Sequence, residues 1–185
     1  MTTPPLTELT GRYDIDPHHS RIGFVARHAM VTKVRGHFKE FEGSTVIDGA
    51  DPAKSSATVT LKTASIDTGV EQRDNHLRTN DFLDAPAFPE IVFRSTGIEA
   101  RGGNEYRLNG ELTVKGTTKP VSLDVEFDGT ATDPYGNQRL GFEGSTTISR
   151  KDFGVTWNAP LEGGGVLVGD KITLEFDVSA IRRKD

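Results

Sequence analysis

Val121-Ser122-Leu123-Asp124-Val125-Glu126-Phe127-Asp128 alternates apolar and polar side chains without a break. Successive side chains of an extended chain point to opposite faces, so this run predicts a strand with one buried and one wet face. The same period of two recurs outward in both directions. Tyr106, Leu108, Gly110, Leu112 and Val114 form one apolar row, Leu140, Phe142, Gly144, Thr146 and Ile148 another, and Ile172, Leu174, Phe176, Val178 and Ala180 a third. Near the start, Ile22, Phe24, Ala26 and His28 share one parity while Arg21 and Arg27 take the other, and shorter rows lie at 57–61 and 91–98.

Between Phe38 and Phe41 the apolar parity switches, as one extra residue in a strand would make it do, so a β-bulge is predicted near Lys39-Glu40. Turn signals separate the rows, among them Asp48-Gly49-Ala50-Asp51-Pro52, Arg101-Gly102-Gly103-Asn104 and Asp133-Pro134-Tyr135-Gly136-Asn137. About eight strands with short links, several of them about ten residues long, fit a closed antiparallel barrel, because closure removes long exposed edges. The fold expected is all-β, an extended eight-stranded antiparallel β-barrel over residues 13–181, with residues 1–12 a flexible segment.

Two stretches lack the alternation. Asp67–Pro89 offers an N-cap at Asp67 or Thr68 and helix-compatible residues from Val70 to Arg78, followed by a turn and a loop ended by Pro86 and Pro89. It reads as a short helical insertion across one barrel mouth. Arg150–Asp170, with Trp157 and Gly163-Gly164-Gly165, reads as a mobile loop at a rim, and Arg182-Arg183-Lys184 as a solvated basic tail.

Composition excludes several functions. Without cysteine there is no disulfide, thiolate metal site or thiol nucleophile. A net charge of −5 argues against a nucleic-acid partner. Residues 1–10 show no signal-peptide pattern and no apolar run is long enough to span a bilayer, which reads as a cytoplasmic chain with no transmembrane segment. No metal-ligand spacing, nucleophile elbow or phosphate-cradling loop is present, so neither catalytic nor metal residues are assigned.

Eight-stranded barrels are filled by their own side chains or hold one small ligand. Small residues at inward positions (Ala26, Gly36, Gly110, Gly129, Gly144) are compatible with a cavity and equally with barrel curvature. His28 reads as a hydrogen-bonded interior histidine or as a functional group. Arg73-Asp74 reads as a local ion pair, or Arg73, His76 and Arg78 stand at the mouth to meet a polar head. Trp157, Phe82 and Phe88 are packing residues or pocket walls.

Five ordered motifs then carry a family resemblance. Asp16-Pro17-His18-His19-Ser20 with Ile22, Phe24 and His28 comes first; Thr68-Gly69 and Arg73-Asp74-Asn75-His76-Leu77 follow, then Phe82. Phe88–Ser95, Gly110–Gly116 before Lys119-Pro120-Val121, and Arg150-Lys151-Asp152-Phe153-Gly154 before Val168-Gly169-Asp170 complete the set. The chain resembles the YceI-like, lipocalin-like polyisoprenoid-binding family from about Tyr13 to Ile181. The resemblance implies a lipocalin-like barrel with a helical insertion and a long hydrophobic pocket for an isoprenoid chain. Many relatives look periplasmic and carry signal peptides, which this sequence does not show.

The function expected is a non-catalytic carrier or store for a long-chain apolar ligand, a polyisoprenoid or polyprenyl quinone or phosphate, with no other cofactor. Its contacts are expected from Phe24, Ala26, His28, Phe38, Arg73, His76, Leu77, Phe82, Leu112, Leu123, Phe127, Phe142 and Trp157. Self-association as a homodimer stays open. Two rivals remain: an enzyme on a hydrophobic substrate with His28 or His76 as general base, and an interaction module whose barrel is full.

Overall fold

The structure, a computed structural model, describes residues 6–184. Its strands are β1 (Gly11–Ile15), β2 (Arg21–His28), β3 (Thr32–Phe38), β4 (Phe41–Ile47), β5 (Ser56–Lys62), β6 (Ile66–Asp67), β7 (Glu90–Gly102), β8 (Glu105–Val114), β9 (Thr117–Thr132), β10 (Gln138–Ser149) and β11 (Val168–Arg182), with helix α1 at Glu71–Leu77. Three pairs of these are single long strands broken in the middle. β1 and β2 lie end to end along β11, with Ile15 opposite Ala180 and Arg21 opposite Asp177. β4 and β3 follow beside them, then β5 and β6. Counted so, the fold is an eight-stranded antiparallel meander, closed where β1 pairs with both β4 and β11.

Each break has a chemical cause. At the first, Pro17 opens a short 3-10 turn, which leaves Ser179 of β11, paired with Gly141 on its other side, without a strand partner between β1 and β2. Its carbonyl accepts from the Asp16 amide at 2.8 Å, and its amide donates to Ser20 Oγ at 2.9 Å. Side chain and turn backbone thus replace a missing ladder rung. The parity switch at Lys39-Glu40 is not the predicted bulge. It is a bend where the chain passes from β3 to β4, held by Lys39 N donating to Ser65 O (3.1 Å) and Lys62 N to Glu40 O (2.9 Å). True bulges occur at Asp128, extra in β9 opposite Gly141-Phe142, and at Thr96 in β7.

All of the apolar rows face the lumen, where they form two clusters. One, around Phe38, Ile66, Phe82, Phe93, Leu112 and Phe153, fills the end covered by α1 and the 150–167 loop. The other, Leu9, Tyr13, Phe127, Leu140 and Ala180, plugs the opposite end. Two of the inward glycines answer the question of cavity against curvature in a third way, whereas Gly129 has no ring against it. Gly36 pairs with Phe24 and Gly144 with Phe176 across the sheet, and a Cβ on Gly144 would stand 2.6 Å from the Phe176 ring. Each glycine is a seat on which a phenyl ring lies against the wall, which keeps the ring out of the lumen's axis.

Three terminal and loop expectations are corrected. Of the flexible segment 1–12, residues 1–5 lie outside the described residues, while Leu6–Leu9 form a 3-10 turn whose Leu9 is 2% exposed. Its carbonyl accepts the Tyr13 hydroxyl at 2.9 Å. Arg182 and Arg183 are no loose tail: Arg182 donates to Gln138 and Thr10, and Arg183 clasps Asp14. The predicted helix cap is inverted. Val70 is the N-cap without a side-chain bond, and Asp74, inside the helix, reaches back to accept from Thr68 N (2.8 Å) and Thr68 Oγ1 (2.6 Å).

Candidate functional site

Between the two clusters runs a cavity of about 390 Å³, at the lower end of the roughly 300–1,000 Å³ usual for small-molecule sites. Phe24, Ala26, Phe38, Leu77, Phe82, Leu112, Leu123, Phe127 and Phe142 all stand in its wall, as the sequence predicts. The walls are apolar because each strand contributes only one parity to them. Phe24 packs on Phe38 (ring centroids 5.9 Å apart) and Phe127 on Phe142 (5.4 Å).

The polar candidates do not join them. His28 shares the inward parity but ends β2, where it is exposed at the hairpin; its carbonyl accepts from Val31 N at 3.1 Å. Arg73 is turned to Thr68, donating to its hydroxyl (2.6 Å) and carbonyl (2.8 Å), so Arg73 and Asp74 fasten the same threonine instead of pairing with one another. Arg78 holds the carbonyls of Ala64 and Ile66. His76 lies outside the lumen lining, with its ring edge-on to Phe82 (4.9 Å) and Trp157 (4.8 Å) and its Nε2 2.9 Å from Asp81 Oδ2. Trp157 is also off the lumen; with His76 and Phe82 it clasps α1 to the 150–167 loop.

Several lining residues lie outside the predicted contacts, and Arg150 differs from the rest in kind. Arg150 lines the cavity yet is only 4% exposed. Its guanidinium donates to the carbonyls of Gly169 (2.9 Å), Val155 (2.8 Å), Trp157 (2.9 Å) and Val168 (3.2 Å). The loop expected to be mobile is therefore tied down from beneath. Gly154, left-handed at φ 76°, closes the 3-10 turn that aims Arg150 inward. Sequence offered only the Arg150–Gly154 motif, with no periodicity to mark the arginine as buried.

The outer wall has a different character. Glu105, Glu126, Glu143 and Asp177 face one another directly across β8 to β11, with Asp128 beside them at the bulge. Like charges directly opposite repel. Coulombic repulsion from Asp128, with hydrogen bonding to Glu126, pushes the Glu143 carboxyl up; burial, then Glu126 and Asp177, pushes Asp128 up. The opposite holds around Arg139, which bridges Asp16 (2.8 Å) and Asp133 (2.9 Å). Burial works to raise Asp16, but donation from Arg139, His19 and the His18 amide outweighs it and holds the carboxyl at about 2. Asp133 is held at about 2 chiefly by the Asn137 amide, with Arg139 assisting.

These shifts set the pH profile. Depressed carboxyls contribute stability that is present above their unfolded value of about 3.9 and lost as pH falls toward about 2. Raised carboxyls destabilise when charged, a penalty relieved as pH drops from neutral through their folded values. The melting temperature is expected to rise modestly as pH falls from neutral through the raised folded values of Glu143 and Asp128 and then to fall below about pH 4, with Glu143→Gln removing much of the first change. A melting temperature that declines steadily from neutral downward contradicts this assignment.

Comparison with known proteins fits this geometry. A UPF0312 protein of Photorhabdus laumondii is 42% identical over 142 residues, 77% of this chain and 73% of that protein. One from Vibrio cholerae is 38% identical over 153 residues, 82% of this chain and 81% of that protein. Among solved structures, Burkholderia cenocepacia BcnA superposes with a TM-score of 0.77 at 28% identity, covering 89% of this chain and 98% of its own. A Campylobacter jejuni YceI protein gives 0.73 at 30%, covering 85% and 90%. A polyisoprenoid binding domain from Saccharophagus degradans shares the fold at 0.69 with 12% identity, covering 92% and 98%. No helix among the described residues is long and apolar enough to cross a membrane. The profile of the YceI-like domain matches residues 13–180, from the first buried tyrosine to the last inward alanine of the closing strand, and the chain belongs to that family.

Proposed function

We propose that the barrel binds and sequesters or carries a long apolar isoprenoid-type lipid, a polyisoprenoid or a polyprenyl quinone or phosphate, without transforming it. The observation that carries this reading is the lumen itself: a tunnel with predominantly apolar walls, in which the buried cation Arg150 and the Ser55 hydroxyl are bonded to backbone. Arg150 is held by four carbonyls, and Ser55 Oγ accepts from Asp48 N at 2.8 Å. An apolar chain gives up no hydrogen bonds by entering, whereas a polar substrate would lose its hydration along apolar walls. The fold shared with a domain named for polyisoprenoid binding supports the same class of ligand. Neither His28 nor His76 lines the lumen, so the general-base reading lacks its residue.

Each isoprene unit has five carbons and gains roughly 4 kcal/mol gross at about 0.8 kcal/mol per carbon, offset in part by chain ordering. Affinity for a polyprenol series is expected to rise with chain length and then level off once the tunnel is full. Organic extraction of the purified protein followed by mass spectrometry is expected to recover an isoprenoid lipid. Recovery of water-soluble metabolites only, or affinity indifferent to chain length, overturns the proposal.

A further inference from the structure

The hairpin joining β2 to β3 ends in exposed apolar side chains: Met30 is 62% and Val31 72% exposed. Beside it in the 150–167 loop stands Val166, 41% exposed. The two are in register, because Ala29 N donates to Leu167 O at 2.7 Å and the Met30 sulfur lies over Gly165. This apolar edge sits at the end of the barrel covered by α1. Its backbone is strained. Ala29 and Met30, the central pair of the turn closed by Val31 N donating to His28 O, both hold positive φ (50° and 65°), conformations for which Asn-Gly is the favoured pair. A tighter, polar turn was available, and two apolar residues occupy it.

The flanks are basic. Between Pro17 and Lys39 there is no carboxylate, in a chain whose net charge is −5. On the outer face Arg27 stands directly opposite Lys33, a like-charge pair that costs stability, and among the described residues neither has a salt-bridge partner. Exposed apolar side chains between unpaired cations match the two layers of a bilayer surface, acyl chains beneath anionic headgroups. The acidic belt of Glu126, Glu143 and Asp177 lies further along the barrel wall, where repulsion turns it away from the same surface.

We propose that the Met30-Val31 tip with Val166, flanked by Arg27 and Lys33, docks this end of the barrel onto an anionic lipid bilayer and is the place where the barrel exchanges its ligand. The exchange half rests on the lipid-binding reading above; the docking half stands without it. The test is co-sedimentation of the full chain with mixed phosphatidylglycerol–phosphatidylcholine vesicles and with pure phosphatidylcholine vesicles.

Wild type is expected to bind the mixed vesicles in a salt-sensitive manner and the neutral ones weakly. Arg27→Gln with Lys33→Gln lowers partitioning roughly 25-fold, about fivefold per charge. Ala29→Asn with Met30→Gly takes the methionine out of the apolar tip while relieving the turn, so it lowers partitioning about tenfold with an unchanged or higher melting temperature. Both variants take up polyprenol from detergent as wild type does but load slowly from vesicles. Equal binding to both vesicle types, or tip variants that bind like wild type, overturns the docking edge. A wild-type dimer that the tip variant dissolves, without vesicle binding, assigns the edge to a second copy and also overturns it. Docking without any polyprenol uptake from detergent leaves the edge standing and refutes the ligand reading alone.

Discussion

Phe127→Glu is expected to unfold the barrel or leave it without ligand, at a cost of about 4 kcal/mol or more. Phe127 is 6% exposed, in the plug with Tyr13 and Leu140, its ring 5.4 Å from Phe142. A glutamate there loses the ring's packing, worth about 3–5 kcal/mol, and buries a carboxylate among apolar neighbours that offer it no donor. Leu123→Glu, in the same row but less enclosed, follows in direction. Asp124→Lys is the control: it sits on the outer face, 4.0 Å from Arg107, and is expected to move stability by less than about 0.5 kcal/mol. Urea unfolding followed by circular dichroism measures all three. Equal damage from Asp124→Lys and Leu123→Glu means that the inside and outside of β9 are wrongly assigned.

Arg150→Ala carries the second large effect, about 3 kcal/mol, because buried carbonyls lose their shared donor and each unsatisfied group costs about 1–3 kcal/mol before water or rearrangement recovers part of it. Burial pushes the guanidinium's pKa down, opposed by Asp170, yet an arginine stays charged at any working pH. Lysine is not an equivalent replacement. Its ammonium is a compact charge on a single stem and cannot reach carbonyls on both sides of the loop, as the planar guanidinium does. Arg150→Lys is therefore expected to melt nearly as early as Arg150→Ala, with new proteolytic cleavage between residues 153 and 167. Full recovery by lysine shows that charge alone, and not the fork of hydrogen bonds, holds the loop.

The barrel was legible because its signal is additive. From Val121 to Phe127 every second residue is apolar, and the same holds in β8, β10 and β11, so the lumen residues Leu112, Leu123 and Phe142 follow from parity alone. What parity could not show is where a strand stops being a strand. His28 has the right parity and the wrong height, one residue from the hairpin. Arg73, Arg78 and His76 are polar residues in an irregular segment, where sequence cannot tell a group aimed at a ligand from one that satisfies a backbone carbonyl. Arg150 escaped for the reason opposite to His28: a charged residue reads as exposed unless its acceptors are known, and these come from residues 155, 157, 168 and 169, brought together only by the folded loop.

The closure of the ring by β11 has a consequence in time. This strand pairs on one side with β10 and on the other with β1 and β2, contacts that span most of the chain. Contacts so distant in sequence carry a large loop-closure entropy, and barrels built on them fold in milliseconds to seconds, not microseconds. During synthesis, at about 5–20 residues per second, β1 through β10 emerge before their lumen has a last wall, so for several seconds the inward rows are open to solvent. A greasy ligand cannot be enclosed while the ribosome still holds the final strand. On the proposed function, a ligand therefore enters only a finished barrel, and a nascent chain stalled short of Ile172 leaves its inward rows open to solvent.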